Sequence, residues 1–245
     1  MALPLDTLDI VEIVRPIDSG MTHPFLCQLE DDQLYAVKGR QALPHGLVAE
    51  VVAGCLGQAM GLPIPPFVIG RMPGSLLRHH GETRAARAIG EGLVFASAWQ
   101  EAVQPVTPAT LDAQPAVLLA QLYIFDHWIG NGDRSLTEHG GNPNLFVRLE
   151  NGQLVAIDHN LAFALDYDPG HELPLHAGRS AWSGLRNRDA LCRRINERMT
   201  DAQALLPAIL DSLPEEWLDG QGSMLDHIAS MLDRRTDPSF WAELG

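Results

Sequence analysis

The only lysine of this chain is the residue whose type and position point most directly to chemistry. The 245-residue sequence contains 16 arginines, and its other basic side chain is Lys38. A lysine ammonium is a compact, rotatable point charge, whereas an arginine guanidinium is a planar fork. Lys38 follows a predicted strand and precedes Glu50 by twelve residues. Because Glu50 lies within an apolar helical pattern, its carboxylate needs a partner, and we expect an ion pair with Lys38.

Two further segments place polar residues at the ends of apolar elements. Asp133 and Arg134 close the run Gly-Asn-Gly-Asp-Arg, directly after a buried helix predicted over 116–129. Asn144 begins one predicted strand, and Asp158 follows the next strand. The turn between these two strands contains Asn-Gly, the strongest short hairpin signal. The register of such a hairpin predicts that Asn144 and Asp158 lie at the same end and face one cleft.

The elements that must position these residues differ between the two halves of the chain. Alternation of apolar and polar residues predicts strands in the first half. These strands cover residues 8–14, 25–29, 34–37, 67–70 and 93–97. Helical spacing predicts a helix from Pro44 to Met60, which is followed by the extended Leu-Pro-Ile-Pro-Pro stretch. From residue 108 onward the pattern is mostly helical, with helices over 116–129, 189–199, 202–210 and 224–232 and a hairpin over 144–157.

Composition excludes several classes of protein. The net charge of −14 argues against general binding of nucleic acid, which requires basic surfaces. The longest apolar run is too short to span a bilayer, and the N-terminus lacks the basic start of a signal peptide. Three widely spaced cysteines are typical of a reducing cytosol. We therefore expect a cytoplasmic protein without a membrane or direct nucleic-acid partner.

The order of these motifs resembles the HipA-like kinase family and, more distantly, phosphatidylinositol 3/4-kinases. The similar features are a strand lysine, a helical glutamate, a Leu-Pro-Ile-Pro-Pro linker, the Gly-Asn-Gly-Asp-Arg run, Asn-Pro-Asn and Ile-Asp. They cover residues 10–165 approximately. The resemblance implies an α+β, bilobal protein kinase-like fold in a single domain. A small antiparallel β-sheet N-lobe would span residues 1–98, and a helical C-lobe would span residues 99–245.

The resemblance also implies a role for each polar residue in transfer of a phosphate from ATP. Phosphoryl transfer depends on charge placed around the phosphates. Lys38 would contact phosphate oxygens, and Glu50 would hold its ammonium. Asp133 would accept or orient the proton of the attacking hydroxyl, which we expect on a Ser or Thr of a protein substrate. Asn144 and Asp158 would bind Mg²⁺, which prefers oxygen ligands.

Binding of the nucleotide would use two other parts of the chain. The sequence has no Gly-x-Gly-x-x-Gly loop, so phosphates would lie against residues 18–23, which include Gly20 and Thr22. The resemblance places adenine at the junction of the lobes, near Phe95, Ala96 and Ser97.

Several alternatives stay open at this point. The interval between Asp133 and Asn144 is longer than the usual spacing in the family, because residues 136–141 are inserted. This leaves Asn142 as a second candidate metal ligand, although the strand after Asn144 favours Asn144. The altered phosphate loop permits a catalytically silent kinase-fold module that binds nucleotide or a partner. A metal-dependent hydrolase using Asp126, His127 and Asp133 is a third interpretation. A cluster of arginines between residues 186 and 198 predicts a solvated helix face or, alternatively, a docking site for an acidic partner or a phosphorylated substrate.

Overall fold

A computed structural model describes residues 4–18, 22–80, 83–136 and 141–245. Its strands are β1 (Thr7–Pro16), β2 (Phe25–Leu29), β3 (Leu34–Lys38), β4 (Phe67–Met72), β5 (Gly92–Ala98), β6 (Val103–Pro105), β7 (Leu145–Arg148) and β8 (Leu154–Ala156). Its α-helices are α1 (Leu43–Ala59), α2 (Gly74–His80), α3 (Thr83–Ala88), α4 (Pro108–Asp112), α5 (Ala116–Trp128), α6 (Pro169–Glu172), α7 (Arg179–Gly184), α8 (Arg188–Gln203), α9 (Leu206–Asp211), α10 (Glu215–Leu218), α11 (Gly222–Asp233) and α12 (Pro238–Glu243). Three 3₁₀ segments, Arg40–Ala42, Leu173–Leu175 and Arg234–Thr236, connect some of these elements.

The N-terminal strands form a barrel in the order β1-β2-β3-β5-β4. The five predicted strands are confirmed, and most of their pairings are antiparallel. The structure adds one parallel contact, in which residues 7–9 of β1 pair with residues 69–71 of β4. β1 serves both neighbours because two register shifts bend it as it continues along β2. The sheet therefore closes, and β1 and β4 do not remain open edges.

Alternation along β3 and β5 separates the barrel core from the cleft. Val37 and Ala96 pack inside the barrel, together with Ala85 and Ile89 of the α3 region. The intervening residues point to the opposite side, where Lys38 faces the cleft. The helices α2 and α3, which the sequence did not predict, cover the barrel between β4 and β5.

Helix α1 lies between the barrel and the C-terminal helices. The predicted helix from Pro44 to Met60 is confirmed within one residue at each end, with Pro44 in its first turn. A β-carbon at Gly54 would lie 2.5 Å from the Phe67 ring, so glycine lets α1 approach β4 closely. Helices α8, α9 and α10 pack against α1 from the other side. The helix that carries Glu50 is therefore held by both halves of the molecule.

The C-terminal half is built around α5, which is buried over most of its length. The predicted hairpin is confirmed as β7 and β8, and β6 adds a third strand that the sequence did not predict. The predicted helices 189–199 and 202–210 have different boundaries in the structure. Helix α8 continues to Gln203, and α9 starts at Leu206, because Pro207 is favourable only in the first turn of a helix. None of the helices within the described ranges has the length and apolar character needed to cross a membrane.

Candidate active site

Lys38 lies at the centre of a buried charge cluster at the end of β3. Its Nζ atom is 2.6 Å from Glu50 Oε1 and 2.6 Å from Asp158 Oδ1. Among the described residues, these contacts use two of the three donors of the ammonium group, which leaves one donor for a ligand. The structure thus brings Lys38 and Glu50 together, and it adds Asp158, which is 120 residues away in the sequence.

Glu50 connects the lysine to the chain segment after β8. Its side chain is buried, and Oε2 accepts a hydrogen bond of 3.0 Å from the backbone N–H of His159. One carboxylate therefore holds both the Lys38 ammonium and the backbone next to Asp158. No spacing pattern in the sequence indicates this second contact, because the partners are 109 residues apart.

The electrostatics of this cluster favour the charged forms of Lys38 and Asp158 despite their burial, but they disfavour the charged form of Glu50. Burial lowers the pKa of the Lys38 ammonium, but the Glu50 and Asp158 carboxylates outweigh it, and the pKa is raised. Burial raises the pKa of Asp158, but Lys38 outweighs this effect and lowers it. Burial also raises the pKa of Glu50, and Asp158 adds to that rise against the pull of Lys38. Two carboxyl groups thus compete for one ammonium, and the balance favours the charged form of Asp158.

The β7–β8 hairpin brings Asn144 and Asp158 to one end, as the register predicted. The backbone N–H of Ile157 donates to the carbonyl of Asn144 at 3.0 Å. Both Asn144 and Asp158 adopt left-handed backbone conformations, with φ of 50° and 61°. Asn and Asp adopt this conformation more readily than most residues other than glycine, so the backbone at both positions suits the residue types found there.

Asp133 and Asn144 orient each other. Asn144 Nδ2 donates to Asp133 Oδ2 at 2.9 Å and to the Asp133 carbonyl at 3.1 Å. The amide oxygen of Asn144 and Asp133 Oδ1 accept no hydrogen bond from any residue that the structure describes. Burial raises the pKa of Asp133, Asn144 counteracts this, and the charge of Asp158 raises it further. One carboxylate oxygen and one amide oxygen therefore remain available to ligands.

These donors fit a divalent cation that prefers oxygen. The amide oxygen of Asn144 and the second carboxylate oxygen of Asp158 are hard ligands without a protein partner in the described ranges. Asn142 also lines the cleft but is exposed, and the described residues give it no contact comparable to the bond between Asn144 and Asp133. Within the same ranges, no group of three or more His, Cys, Asp and Glu side chains forms a separate metal cluster.

The cleft itself separates the barrel from the C-terminal half, with a volume of about 220 Å³. Phe95 and Ser97 line it, together with Ala98 and Trp99. Ala96 does not line it, because strand alternation turns this side chain into the barrel, and the Ala96 backbone lies in the ladders with β3 and β4.

The described residues on either side of the candidate phosphate loop lie at the cleft. Ile17 and Pro24, which flank the loop, line the cleft. The Thr22 hydroxyl is buried and has no hydrogen-bond partner among the described residues. Gly20, the other residue predicted to cradle phosphate, falls outside the described residues.

Comparison with known proteins decides the family. The family model for HipA-like kinases matches residues 10–244 of this chain. This chain belongs to the HipA-like kinase family. The match includes the C-terminal helices, in which the sequence analysis found no assignable motif. None of the curated proteins in the comparison matches this chain.

Solved structures show the fold of this HipA-like kinase independently. The proinflammatory kinase CtkA of Helicobacter pylori is similar over 98% of this chain and 97% of its own, with 13% identity and a TM-score of 0.59. The Golgi casein kinase with Mn and ADP bound is similar over 98% of this chain and 73% of its own, with 12% identity and a TM-score of 0.50. The fold is bilobal and kinase-like, as the motif order implied.

A second buried charge cluster supports the loops of the candidate site in this HipA-like kinase, and the sequence did not predict it. The guanidinium of Arg134 is fully buried. Its Nε donates to Asp126 Oδ2 at 2.6 Å, and its Nη1 donates to the carbonyls of Pro143 and Asn144 at 3.1 and 3.2 Å. Its Nη2 is 3.0 Å from His159 Nε2. One side chain thus contacts the residues beside both candidate metal ligands.

The partners of Arg134 are themselves held in place. Asp126 accepts hydrogen bonds from Asn131 Nδ2 at 2.8 Å and from His176 Nε2 at 3.0 Å. Burial raises the pKa of Asp126, but Arg134 and His176 outweigh it and hold the pKa well below its usual range. Burial, reinforced by the charge of Arg134, lowers the pKa of His159 to about 3. Asp126 therefore belongs to a structural ion pair, while His127, stacked on Phe240, lies apart in the C-terminal core. Sequence spacing alone did not indicate this arrangement.

Proposed function

We propose that this HipA-like kinase transfers the γ-phosphate of ATP to a Ser or Thr hydroxyl of a protein in a reaction that requires Mg²⁺. The observation that carries this proposal is the convergence of Lys38, Asn144 and Asp158 at one cleft, with Asp133 hydrogen-bonded to Asn144. Residues from both lobes contribute, with the lobes proposed to meet where β5 ends, at residues 98 and 99. A cytoplasmic location is part of the proposal and rests on the cysteine composition.

Lys38 would bind the nucleotide phosphates with its remaining ammonium donor. The two carboxylates that raise its pKa keep it charged, so its attraction for phosphate oxygens would persist at every physiological pH. Glu50 would keep the ammonium directed into the cleft. Thr22 and Gly20 would complete the phosphate site, with the adenine against the surface of Phe95 and Ser97 and the backbone of the Ala96 strand.

Asp133 would act on the acceptor hydroxyl. Its Oδ2 is engaged by Asn144, which leaves Oδ1 to accept the hydroxyl proton. The raised pKa makes this carboxylate a better proton acceptor than an exposed aspartate. The bound metal would supply positive charge that offsets the charge of the phosphate oxygens. Asn144 and Asp158 would hold it through the oxygens that the protein leaves free.

The proposal is tested by measuring transfer and binding separately. The protein is incubated with γ-labelled ATP and Mg²⁺, alone and with a lysate, and its intact mass is recorded. We expect label on protein from the wild type, and almost none from Asp133→Asn or Asp158→Asn. Asp201→Asn, an exposed position on α8, is the matched control and should retain transfer.

Thermal unfolding with ATP and Mg²⁺ distinguishes the alternatives. A ligand at 100 times its dissociation constant should stabilise the protein by about 2.7 kcal/mol. Stabilisation without transfer in the wild type would support a silent nucleotide-binding module instead. The absence of both stabilisation and transfer would refute the assignment of the nucleotide site.

A further inference from the structure

Helix α8 carries a basic surface that the proposed catalytic site does not use. Residues 186–198 contain five arginines and two acidic residues, a net charge of 5 − 2 = +3 in a chain of −14. Beside this helix is a groove of about 220 Å³. We call it the α8 groove, and its lining residues are Val117, Gln121, Leu191, Arg194, Ile195 and Arg198.

The two arginines of the α8 groove differ in their contacts. Arg198 is anchored, since its Nη1 donates to Gln121 Oε1 at 3.1 Å and to the Met60 carbonyl at 3.3 Å. Arg194 is exposed and makes no hydrogen bond or ion pair with any residue in the described ranges. Because they are four residues apart, the two guanidinium groups lie on the same face of α8. Together they present one fixed and one adaptable cation.

The rest of the groove lining mixes polar and apolar side chains. Gln121 is polar, Leu191 and Ile195 of α8 are almost fully buried beneath it, and Val117 of α5 forms its side. Val117 is 46% exposed, so its side chain contributes apolar surface beside the two arginines. The groove therefore offers cationic donors directly beside an apolar surface.

We propose that the α8 groove binds an acidic segment of a protein partner, with carboxylates at Arg194 and Arg198 and an apolar side chain against Val117. Arginine forks pair with carboxylates in a bidentate geometry, which makes them suited to this recognition. A polynucleotide is less compatible, because the rest of this strongly acidic chain would repel a long polyanion. The proposal is independent of the catalytic assignment, because no residue of the groove lies in the candidate active site.

The position of the groove connects it to the active site through α1. Arg198 contacts the carbonyl of Met60, at the C-terminal end of the helix that carries Glu50. Gln121 Nε2 donates to the same carbonyl at 2.7 Å. A partner that engages Arg198 would therefore contact the anchor of α1 and remain remote from the catalytic residues.

Binding is tested with a fluorescein-labelled peptide in which leucine and glutamate alternate, measured by fluorescence anisotropy on the full chain. We expect saturable binding that weakens as salt is raised, since screening reduces charge pairing. The same peptide with glutamine in place of glutamate should bind at least about tenfold more weakly, since it loses the charge pairs with both Arg194 and Arg198. Arg194→Glu should weaken binding of the glutamate peptide by about tenfold or more.

Two variants and two competing occupants make the test decisive. Arg193→Glu changes the same charge on the neighbouring face of α8 and should weaken binding less than Arg194→Glu. Equal effects of the two variants would reduce the proposal to nonspecific attraction and overturn it. Absence of peptide binding to the wild type, preferential binding of oligouridylate, or self-association that Arg194→Glu abolishes would each overturn it as well. Arg194 makes no contact that supports the described fold, so a loss of binding in its variant would not reflect unfolding.

Discussion

The Lys38 and Arg134 clusters are two buried charge centres that are built differently. They are adjacent, because Lys38 contacts Asp158 and Arg134 contacts the next residue, His159. Lys38 keeps a free donor and faces the cleft, and its partner Asp158 retains 18% exposure of its side chain. Arg134 is completely enclosed, and its Nε and both Nη atoms are engaged by protein acceptors. The first centre can exchange partners when a ligand arrives, whereas the second cannot.

The difference follows from the chemistry of the two side chains. A lysine ammonium has three rotatable donors on a flexible stem, so it can contact two carboxylates and still reach a phosphate. A guanidinium distributes five donors in a fixed plane, which suits a scaffold that joins several carbonyls. The chain uses arginine at 16 positions and lysine at the one position that faces the candidate nucleotide. Each cluster would therefore fail in its own way if the two residue types were exchanged.

The largest effect is expected when the Lys38 cluster loses the Asp158 carboxylate. Asp158→Asn removes both a candidate metal ligand and a partner of Lys38. We expect phosphate transfer to fall by about 10³-fold, comparable to the loss of a single group that stabilises charge in the transition state. Initial rates at saturating ATP measure the effect, and Asp201→Asn should match the wild type. A loss smaller than tenfold would contradict the role of Asp158.

The second-largest effect is on the stability of the protein and concerns the Arg134 cluster. Arg134→Lys keeps the charge but cannot reach Asp126, the two carbonyls and His159 together. We expect the free energy of unfolding to fall by about 3 kcal/mol, the lower range for breaking a buried ion pair. Denaturant titration measures it, with the exposed substitution Arg194→Lys as a control that should change stability by less than about 0.5 kcal/mol. If Arg134→Lys and Arg194→Lys were equally stable, the buried contacts of Arg134 would not support the fold as proposed.

The reverse exchange at the cleft should affect activity and leave the fold intact. Lys38→Arg preserves a positive charge beside Glu50, but the larger planar group occupies the space intended for phosphate oxygens. We expect transfer to fall by about 100-fold, which corresponds to about 2.7 kcal/mol of the barrier. Rates and thermal unfolding are measured on the same preparation. Full activity of this variant would mean that the site does not require lysine at position 38.

The smallest effect is a pH dependence of stability that belongs to the Arg134 cluster. The pKa of His159 is about 3 in the folded protein and near 6.5 when unfolded. Between these values the unfolded state binds the extra proton, so stability is complete above pH 6.5 and decreases as the pH falls. We expect His159 to contribute a loss of about 1 kcal/mol between pH 7 and pH 5.5.

His159→Gln isolates this contribution, because Gln retains an acceptor for Arg134 but does not titrate. Denaturant titrations of both proteins at pH 7 and pH 5.5 should show the smaller decrease in the variant. Identical decreases would mean that His159 titrates alike in the folded and unfolded protein, which would contradict its lowered pKa beside Arg134.

The elements that carry local patterns were predicted well. The hairpin of β2 and β3, the helix with Glu50 and the buried helix before Asp133 all depend on periodicity within a few residues. The closing contact between β1 and β4 was not predicted, because it joins segments about 60 residues apart without a pattern of its own. Short helices such as α2 and α3 are below the length at which periodicity is informative.

In the candidate site, too, some contacts could be predicted from local sequence and others depend on the fold. The pairing of Lys38 with Glu50 was predictable, because an acidic residue in an apolar helical face requires a partner. The bond from Asn144 to Asp133 follows from neither spacing nor composition, since it depends on how a loop returns after the insertion. The partners of Arg134 were missed because its burial, and therefore its need for acceptors, is visible only in the fold.

By itself, the sequence determined the order of chemical groups and the elements that carry them. A strand lysine, a helical glutamate, an aspartate after a buried helix and a polar pair flanking a hairpin are all consequences of residue type and periodicity. Only the tertiary structure decided which of these groups touch, and whether a charge faces the cleft or the core. Burial and long-range contacts set the pKa and the free donors of each group, and these properties arise only when distant segments are packed together.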